Sequence, residues 1–324
     1  MRILIVGLGS MGKRRIRLLS QLIPECEFIC VDNNHVRLEQ LKKDGYIGFN
    51  ILSDAISIHP DLAFVCTSPG HHAEIILQLI EHHIPVFTEL NLISERYDEI
   101  IKESKVKNVK VFMSNTMLYD KQIISIGNEL KNRNKLTYIY HVGQYLPNWH
   151  PWESYHDYFV GKKETNGCRE ILAIQFPWII KLFGKVKSFS AIKKKNSSLD
   201  IDFNDTLIIS MEHENGNSGV FVCDVISSNA VNYLEVVGEN LQIRWDGTPE
   251  TLLSFDNESK KMKVMKSYDS IEHVEGYADI IYEDQYRDEI KAFLDWLTEN
   301  KTPLYSLEDD KYTLDLIDSI ESDF

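Results

Sequence analysis

Cysteine is scarce and shows no pairing pattern. The five residues Cys26, Cys30, Cys66, Cys168 and Cys223 have no C-x-x-C spacing, which argues against a disulfide framework or a cysteine metal site. Buried, reduced thiols are the expectation. Proline (9) and glycine (16) are too few for a collagenous or low-complexity chain, and 43% hydrophobic residues exclude disorder. Positive charge is in deficit: 35 Lys and Arg face 49 Asp and Glu, a net charge of −14. That excess repels phosphate backbones and anionic lipid, so neither nucleic acid nor a membrane is expected as partner. A local basic pocket for one small anion stays open. No apolar run approaches the roughly 20 residues of a spanning helix. The apolar start of the chain is short and broken by glycines, unlike a secretion signal. A cytoplasmic location is therefore expected. The length of 324 residues suits about two domains.

The first part alternates short apolar runs with helical patterns. Strands are expected at Arg2–Val6, Glu27–Asp32, Leu62–Thr67, Val86–Glu89 and Lys110–Ser114, four of them nearly continuous in apolar character, as strands covered on both faces are. Helices are expected at Lys13–Leu22, Val36–Lys43, His72–His82 and Tyr97–Ser104. In the third, Ala73, Ile76, Leu79 and Ile80 form one stripe. This order predicts an α/β domain over residues 1–119 with a doubly wound parallel sheet. Residues 120–324 read as an α+β domain with a mostly antiparallel, open sheet. Its expected helices are Lys121–Lys131, Cys168–Phe183, Tyr286–Thr298 and Leu307–Ile320. Its expected strands are Leu136–Val142, Val186–Ile192, Thr206–His213, Gly219–Val225, Tyr233–Val237 and Leu241–Trp245.

Gly7-Leu8-Gly9-Ser10-Met11-Gly12 fits G-x-G-x-x-G, a weak signal alone. Here it follows a strand and opens a helix, and Asp32 ends the next strand 20 residues after Gly12. That context is the Rossmann fingerprint. Gly7 makes the tight turn, Gly9 lets a pyrophosphate approach the backbone, and Gly12 lets helix pack on strand. The helix start at Ser10 and Met11 offers free N–H groups to the diphosphate. Asp32 would bind the adenosine ribose hydroxyls and repel a 2′-phosphate, which favours NAD over NADP. The competing reading is a glycine turn in a sheet that binds something else.

With these elements placed, the chain resembles the glucose–fructose oxidoreductase/inositol dehydrogenase/MocA family. GLGSMGKRRIRLL looks like its cofactor loop and first helix, and Cys66-Thr67-Ser68-Pro69-Gly70-His71-His72 like its fourth-strand loop. Phe87-Thr88-Glu89-Leu90-Asn91 stands where the family carries Glu-Lys-Pro. Asn115 ends the sixth strand, and the last two helices also match. The resemblance implies cofactor contacts from Thr67, Ser68, Pro69, His72, Glu89 and Asn115, with Glu89 near the nicotinamide ribose. It also implies a sugar-like small-molecule substrate, and a homodimer or homotetramer formed through the open sheet. The family's Lys position is Leu90 here. Aligning Gly167-Cys168-Arg169-Glu170-Ile171-Leu172-Ala173-Ile174-Gln175 with the family's second signature puts Ile171 at its Asp and Gln175 at its His. Leucine cannot take a proton, and glutamine cannot titrate.

Substitutes are sought in the aromatic segment 144–158. His150, between Trp149 and Trp152 and beside Pro151, is the first choice as general base, on the expectation that burial holds it neutral. His156 and then Tyr145 follow. Trp149 and Trp152 suit the C–H face of a sugar, Arg169 and Glu170 a carboxylate or hydroxyl, and Gln175 a hydroxyl. The plainer reading is that these side chains pack a long loop or a subunit contact. The pairs His71–His72 and His82–His83 lack the spacing of a zinc site, so no metal is expected. The leading function is hydride transfer between NAD and a sugar carbon. The alternative is a NAD-binding sensor or assembly protein without turnover, and a third reading makes NAD a helper in elimination or hydrolysis.

Overall fold

The computed structural model describes residues 1–150, 153–268 and 282–322. In the first part β1 (Arg2–Val6) leads to α1 (Ser10–Leu22), β2 (Glu27–Val31), α2 (His35–Lys43), β3 (Ile47–Phe49) and α3 (Leu52–Ile56). Next come β4 (Leu62–Val65), α4 (His72–Glu81), β5 (Val86–Thr88), α5 (Tyr97–Lys107) and β6 (Val111–Met113). The six strands make a parallel sheet in the order β3-β2-β1-β4-β5-β6, the doubly wound order that reverses between β1 and β4. Ile3, Leu4, Ile5, Phe64 and Val65 are fully buried, as the continuous apolar runs require. β3 and α3 had no signal in the sequence: three residues are too few for a period, and Ile47 is exposed at the sheet edge.

The second part contains α6 (Lys121–Leu130), β7 (Thr137–Gly143), α7 (Gly167–Phe183), β8 (Val186–Lys194), β9 (Thr206–His213) and β10 (Ser218–Asp224). It continues with β11 (Val231–Gly238), β12 (Leu241–Trp245), β13 (Leu253–Asp256), β14 (Lys261–Val264), α8 (Glu283–Glu299) and α9 (Leu307–Glu321). Among the described residues its eight strands run β14-β13-β12-β11-β7-β10-β9-β8 and are antiparallel except for the β7–β10 pair. Tyr138, Tyr140, Phe221 and Ile209 point to the buried face, against which α7 packs. The opposite face carries the cross-strand row Ile192, Ile208, Val222, His141 and Tyr233. The edge strand β14 and its neighbour β13 carry no signal in the sequence, because four residues alternate too briefly to register.

Chain packing separates two compact units, Met1–Asn115 with Tyr286–Leu314, and Thr116–Gln285 with Asp315–Phe324. The return of α8 to the first unit has a clear cause. Phe293 packs edge-on against Phe64 and Phe87, 5.7 Å from each, and tilted against Phe112 at 5.6 Å. A linear cut at 119/120 does not contain this return.

Candidate cofactor and proton-handling sites

The glycine turn has the shape a dinucleotide needs. Gly7 adopts φ +95°, and a Cβ there would lie 2.7 Å from the Cys66 carbonyl. A Cβ on Gly12 would lie 2.0 Å from the Gly7 carbonyl oxygen, so helix and turn touch backbone to backbone. Over Gly9 nothing lies within 4 Å. Gly9 also caps α1 without a side-chain hydrogen bond, leaving the N–H groups at Ser10 and Met11 for an anion. The Thr67 hydroxyl beside this turn is buried and without a partner among the described residues. These features fit a dinucleotide diphosphate.

Asp32 is buried at the end of β2. Its carboxylate accepts the Leu8 and Asn34 N–H groups, each at 2.7 Å, and Arg37 Nη1 stands 3.6 Å away. Two backbone donors leave lone pairs for a ribose diol. After β4, Ser68 is exposed and Pro69 buried at the head of a short 3-10 turn. His72 follows, fully buried. Its Nε2 bonds the Thr67 carbonyl at 2.8 Å, and its Nδ1 meets the Asn91 side chain. Burial pushes the His72 imidazole below its ordinary range, so it stands neutral and holds the loop. Asn91 in turn donates to Tyr97 Oη at 2.6 Å, and that phenol donates to Asp310.

Glu89 follows β5 directly and Asn115 lies two residues after β6, and both are buried. Both Glu89 oxygens are engaged by the Arg15 guanidinium, at 2.6 and 3.1 Å. Arg15, which the sequence reading passed over, also bonds Glu289 at 2.8 Å and Ser114 at 3.3 Å, and sits 4.5 Å over the Phe87 ring. Only the remaining lone pairs of Glu89 are open to a ribose. A signal was present: Arg15 lies on the same helical stripe as Gly12, Ile16 and Leu19, where a core residue belongs.

In the second unit the candidates scatter. His150 is one-third exposed, with Nδ1 2.7 Å from a Glu153 oxygen and its ring stacked 4.4 Å from Tyr158. The dry setting expected for it is absent, because the loop turns this ring outward to a carboxylate. His156 is exposed beside Tyr155. Tyr145 is half-buried and precedes a 3-10 turn. The Trp149 indole N–H is taken by the Gln144 carbonyl at 3.1 Å. Pro151 and Trp152 lie outside the described residues.

On α7, Arg169 is committed to Asp318 and Glu321, each at 2.5 Å, and so is not available as a ready grip for a substrate carboxylate. Gln175 is buried, its oxygen accepting from Tyr140 Oη at 3.0 Å and Trp178 Nε1 at 2.7 Å. Ile171 packs inward as well. Glu170 faces the other way, half-buried, and withdrawal from water pushes its carboxyl up to about 7.

The comparisons agree with this architecture. Residues 1–115 match the model of the GFO_IDH_MocA oxidoreductase family with its NAD-binding Rossmann fold. No curated protein matches the chain by sequence. Among solved structures, an oxidoreductase from Agrobacterium radiobacter in complex with NAD+, L-tartaric acid and magnesium superposes with TM-score 0.83 at 11% identity, covering 98% of this chain and 94% of that one. UDP-N-acetylglucosamine 3-dehydrogenase GnnA from Acidithiobacillus ferrooxidans gives TM-score 0.78 at 11% identity, covering 99% and 96%. The WlbA dehydrogenase from Chromobacterium violaceum, in complex with NADH and UDP-GlcNAcA, gives 0.79 at 17%, covering 99% and 92%. At these identities the likeness is one of fold.

Proposed function

We propose, on the premise that residues 1–115 belong to the Gfo/Idh/MocA oxidoreductase family, that the protein moves a hydride between NAD and a hydroxyl-bearing carbon of a sugar derivative. The observation that carries this reading is the glycine turn: tight at Gly7, open over Gly9, closed at Gly12, with the unpartnered Thr67 hydroxyl beside it. When bound, the nicotinamide supplies the two-electron acceptor or donor. This chain's part is to hold the diphosphate on the α1 N-terminus, the ribose on Asp32, and the loop in place through neutral His72. The sugar class is suggested by fold neighbours that act on UDP-N-acetylglucosamine or bind UDP-GlcNAcA. The test is a screen of UDP-N-acetylglucosamine, UDP-GlcNAcA and free sugars with cofactor-stripped protein, followed at the NADH absorbance band. Reduction of added NAD by at least one of them is the expected result.

Asp32 sets the choice of cofactor in this reading. Calorimetry should find NAD bound more tightly than NADP, and Asp32→Ala should narrow that gap by about tenfold, the scale of one hydrogen bond to a charged group. NADP binding equal or tighter in the unmodified protein would sink the assignment.

The open sheet face gives an assembly to test. Ile192 and Ile208 are paired across strands and 54% and 40% exposed there, and Ile139, 48% exposed, lies on the same face in the adjoining row with Val220 and Ser210. The reading is a homodimer or homotetramer through this face. Light scattering should return a multiple of 37.6 kDa, and Ile208→Glu should lower that mass about twofold or more. A mass near 37.6 kDa for the unmodified chain at micromolar concentration would contradict it.

A second reading, a NAD-holding sensor without turnover, is favoured by Leu90 and by the inward packing of Ile171 and Gln175. NAD binding with no sugar oxidised is the outcome that selects it.

A further inference from the structure

A chain of buried polar groups runs under the loop that follows β4. It starts at the Thr67 carbonyl, which faces His72 Nε2 at 2.8 Å, while His72 Nδ1 meets the Asn91 amide. The amide meets Tyr97 Oη at 2.6 Å, and Tyr97 Oη meets one Asp310 oxygen. The other Asp310 oxygen accepts from Tyr305 Oη at 3.0 Å. All of these residues belong to the first compact unit, as does the glycine turn. Asn91 stands where the family carries proline, whose side chain could join no such chain.

Counting hydrogens decides which way the chain runs. Four links join the Thr67 carbonyl to Asp310, and each needs one hydrogen. A neutral imidazole gives one and the phenol gives one. The amide gives one, because its oxygen faces one neighbour and its NH2 the other. If both ends only accept, three hydrogens serve four links. The Thr88 hydroxyl, 3.4 Å from His72 Nδ1, does not fill the gap, since its hydrogen goes to the Glu89 carbonyl at 3.2 Å.

A protonated Asp310 supplies the missing hydrogen. It donates to Tyr97, Tyr97 to the Asn91 oxygen, the Asn91 NH2 to His72 Nδ1, and His72 Nε2–H to the Thr67 carbonyl. An ionised Asp310 reverses the direction. Asn91 then donates to Tyr97 and Tyr97 to Asp310. His72 carries its proton on Nδ1, and bare Nε2 faces the Thr67 carbonyl, lone pair against lone pair. An imidazolium would also fill every link, but burial lowers this ring against the pull of Thr67, Asn91 and the Arg15-paired Glu89, and His71 lowers it further. Burial pushes the Asp310 carboxyl up to about 6, with Asp309 adding to the rise and the Tyr97 and Tyr305 hydroxyls opposing it. Tyr97 stays a phenol, held above its ordinary range by burial and the Asp310 charge.

The grip on Thr67 bears on the glycine turn. A Cβ on Gly7 would stand 2.7 Å from the Cys66 carbonyl and 2.8 Å from the Thr67 nitrogen, so loop and turn touch backbone to backbone. We propose that Asp310 is a positioning residue for this loop. Protonated, it directs His72 to hold Thr67 beside the glycine turn; ionised, it switches the His72 tautomer and releases Thr67. The consequence for NAD rests on the dinucleotide reading above, and the tautomer switch does not.

Nitrogen-15 NMR of the histidine rings reads the tautomer, with the His72 signals identified by their loss in His72→Gln. The ring proton should sit on Nε2 at about pH 5 and on Nδ1 at about pH 8, either side of the Asp310 midpoint. Asp310→Asn, whose amide donates to Tyr97 at any pH, should keep it on Nε2 throughout. Tyr97→Phe cuts the chain and should abolish the pH dependence. One tautomer in the unmodified protein at both pH values, or a doubly protonated ring at either, overturns the switch. Calorimetry should find NAD bound about tenfold more weakly at the higher pH, the scale of one lost hydrogen bond, with that fall absent in Asp310→Asn. An equal fall in Asp310→Asn, or none in the unmodified protein, overturns the positioning role. No NAD binding at either pH overturns the dinucleotide reading, and the role with it, whatever the tautomer.

Discussion

Replacing Arg15 with methionine is expected to lower the unfolding free energy by about 3–5 kcal/mol, the usual cost of removing one partner from a buried ion pair. Arg15 is fully buried between Glu89 at 2.6 Å and Glu289 at 2.8 Å. Methionine fills the space over Phe87 but leaves two carboxyls in a dry site without a cation. The cost also depends on pH, with a sign that can be worked out. Burial pushes the Glu289 carboxyl up to about 7, against the pull of Arg15 and with help from the Glu89 charge. The native state therefore holds a proton that the unfolded chain gives up between about pH 4 and about pH 7, and Glu289's contribution to stability falls as pH rises through that window. Without Arg15 only the Ser114 hydrogen bond still opposes the shift, so the fall steepens. Urea midpoints at about pH 5 and about pH 8 should show the larger loss at the higher pH. Equal midpoints for variant and unmodified protein at both would refute the account.

The second large effect belongs to the glycine turn, where two neighbouring substitutions should part company. In Gly12→Ala the new methyl falls 2.0 Å from the Gly7 carbonyl oxygen, so α1 must move off the turn. Overpacking of this kind costs about 1–3 kcal/mol, and the melting temperature should drop along with NAD affinity. In Gly9→Ala the methyl meets nothing within 4 Å, so stability should stay within about 0.5 kcal/mol. The same methyl stands where a diphosphate must approach. Loss of one hydrogen bond to a charged group, about 1.5–3 kcal/mol, predicts roughly ten- to a hundredfold weaker NAD binding. Melting curves and calorimetry on the two variants check both halves. Unchanged NAD affinity in Gly9→Ala would remove the diphosphate from this turn.

Helix rotation decides which side chains of α7 stay open. Its start, its Gly184 end and its apolar character were legible. Which residues face the sheet was not, because α7 is apolar almost all round and no polar stripe fixes its orientation. Tyr140 and Trp178 decide it by taking the Gln175 oxygen, which leaves Glu170 on the open side. The exposure of His150 was illegible for a related reason: tryptophans on either side in sequence suggest a dry pocket, but side-chain direction in an irregular loop has no period to read.

Local order was the sequence's own work. The β1–glycine–α1 turn, Asp32 at the end of β2 and the parallel alternation follow from residues within about 30 positions of one another, where sterics and strand burial act without distant help. The partners of buried polar groups were decided by the tertiary structure. Glu89 meets Arg15 74 positions away and Glu289 joins them from 274, while Arg169 reaches Asp318 across 149. A buried charge must find its counterpart wherever folding brings one within reach, and that proximity is a property of the packed chain rather than of any segment.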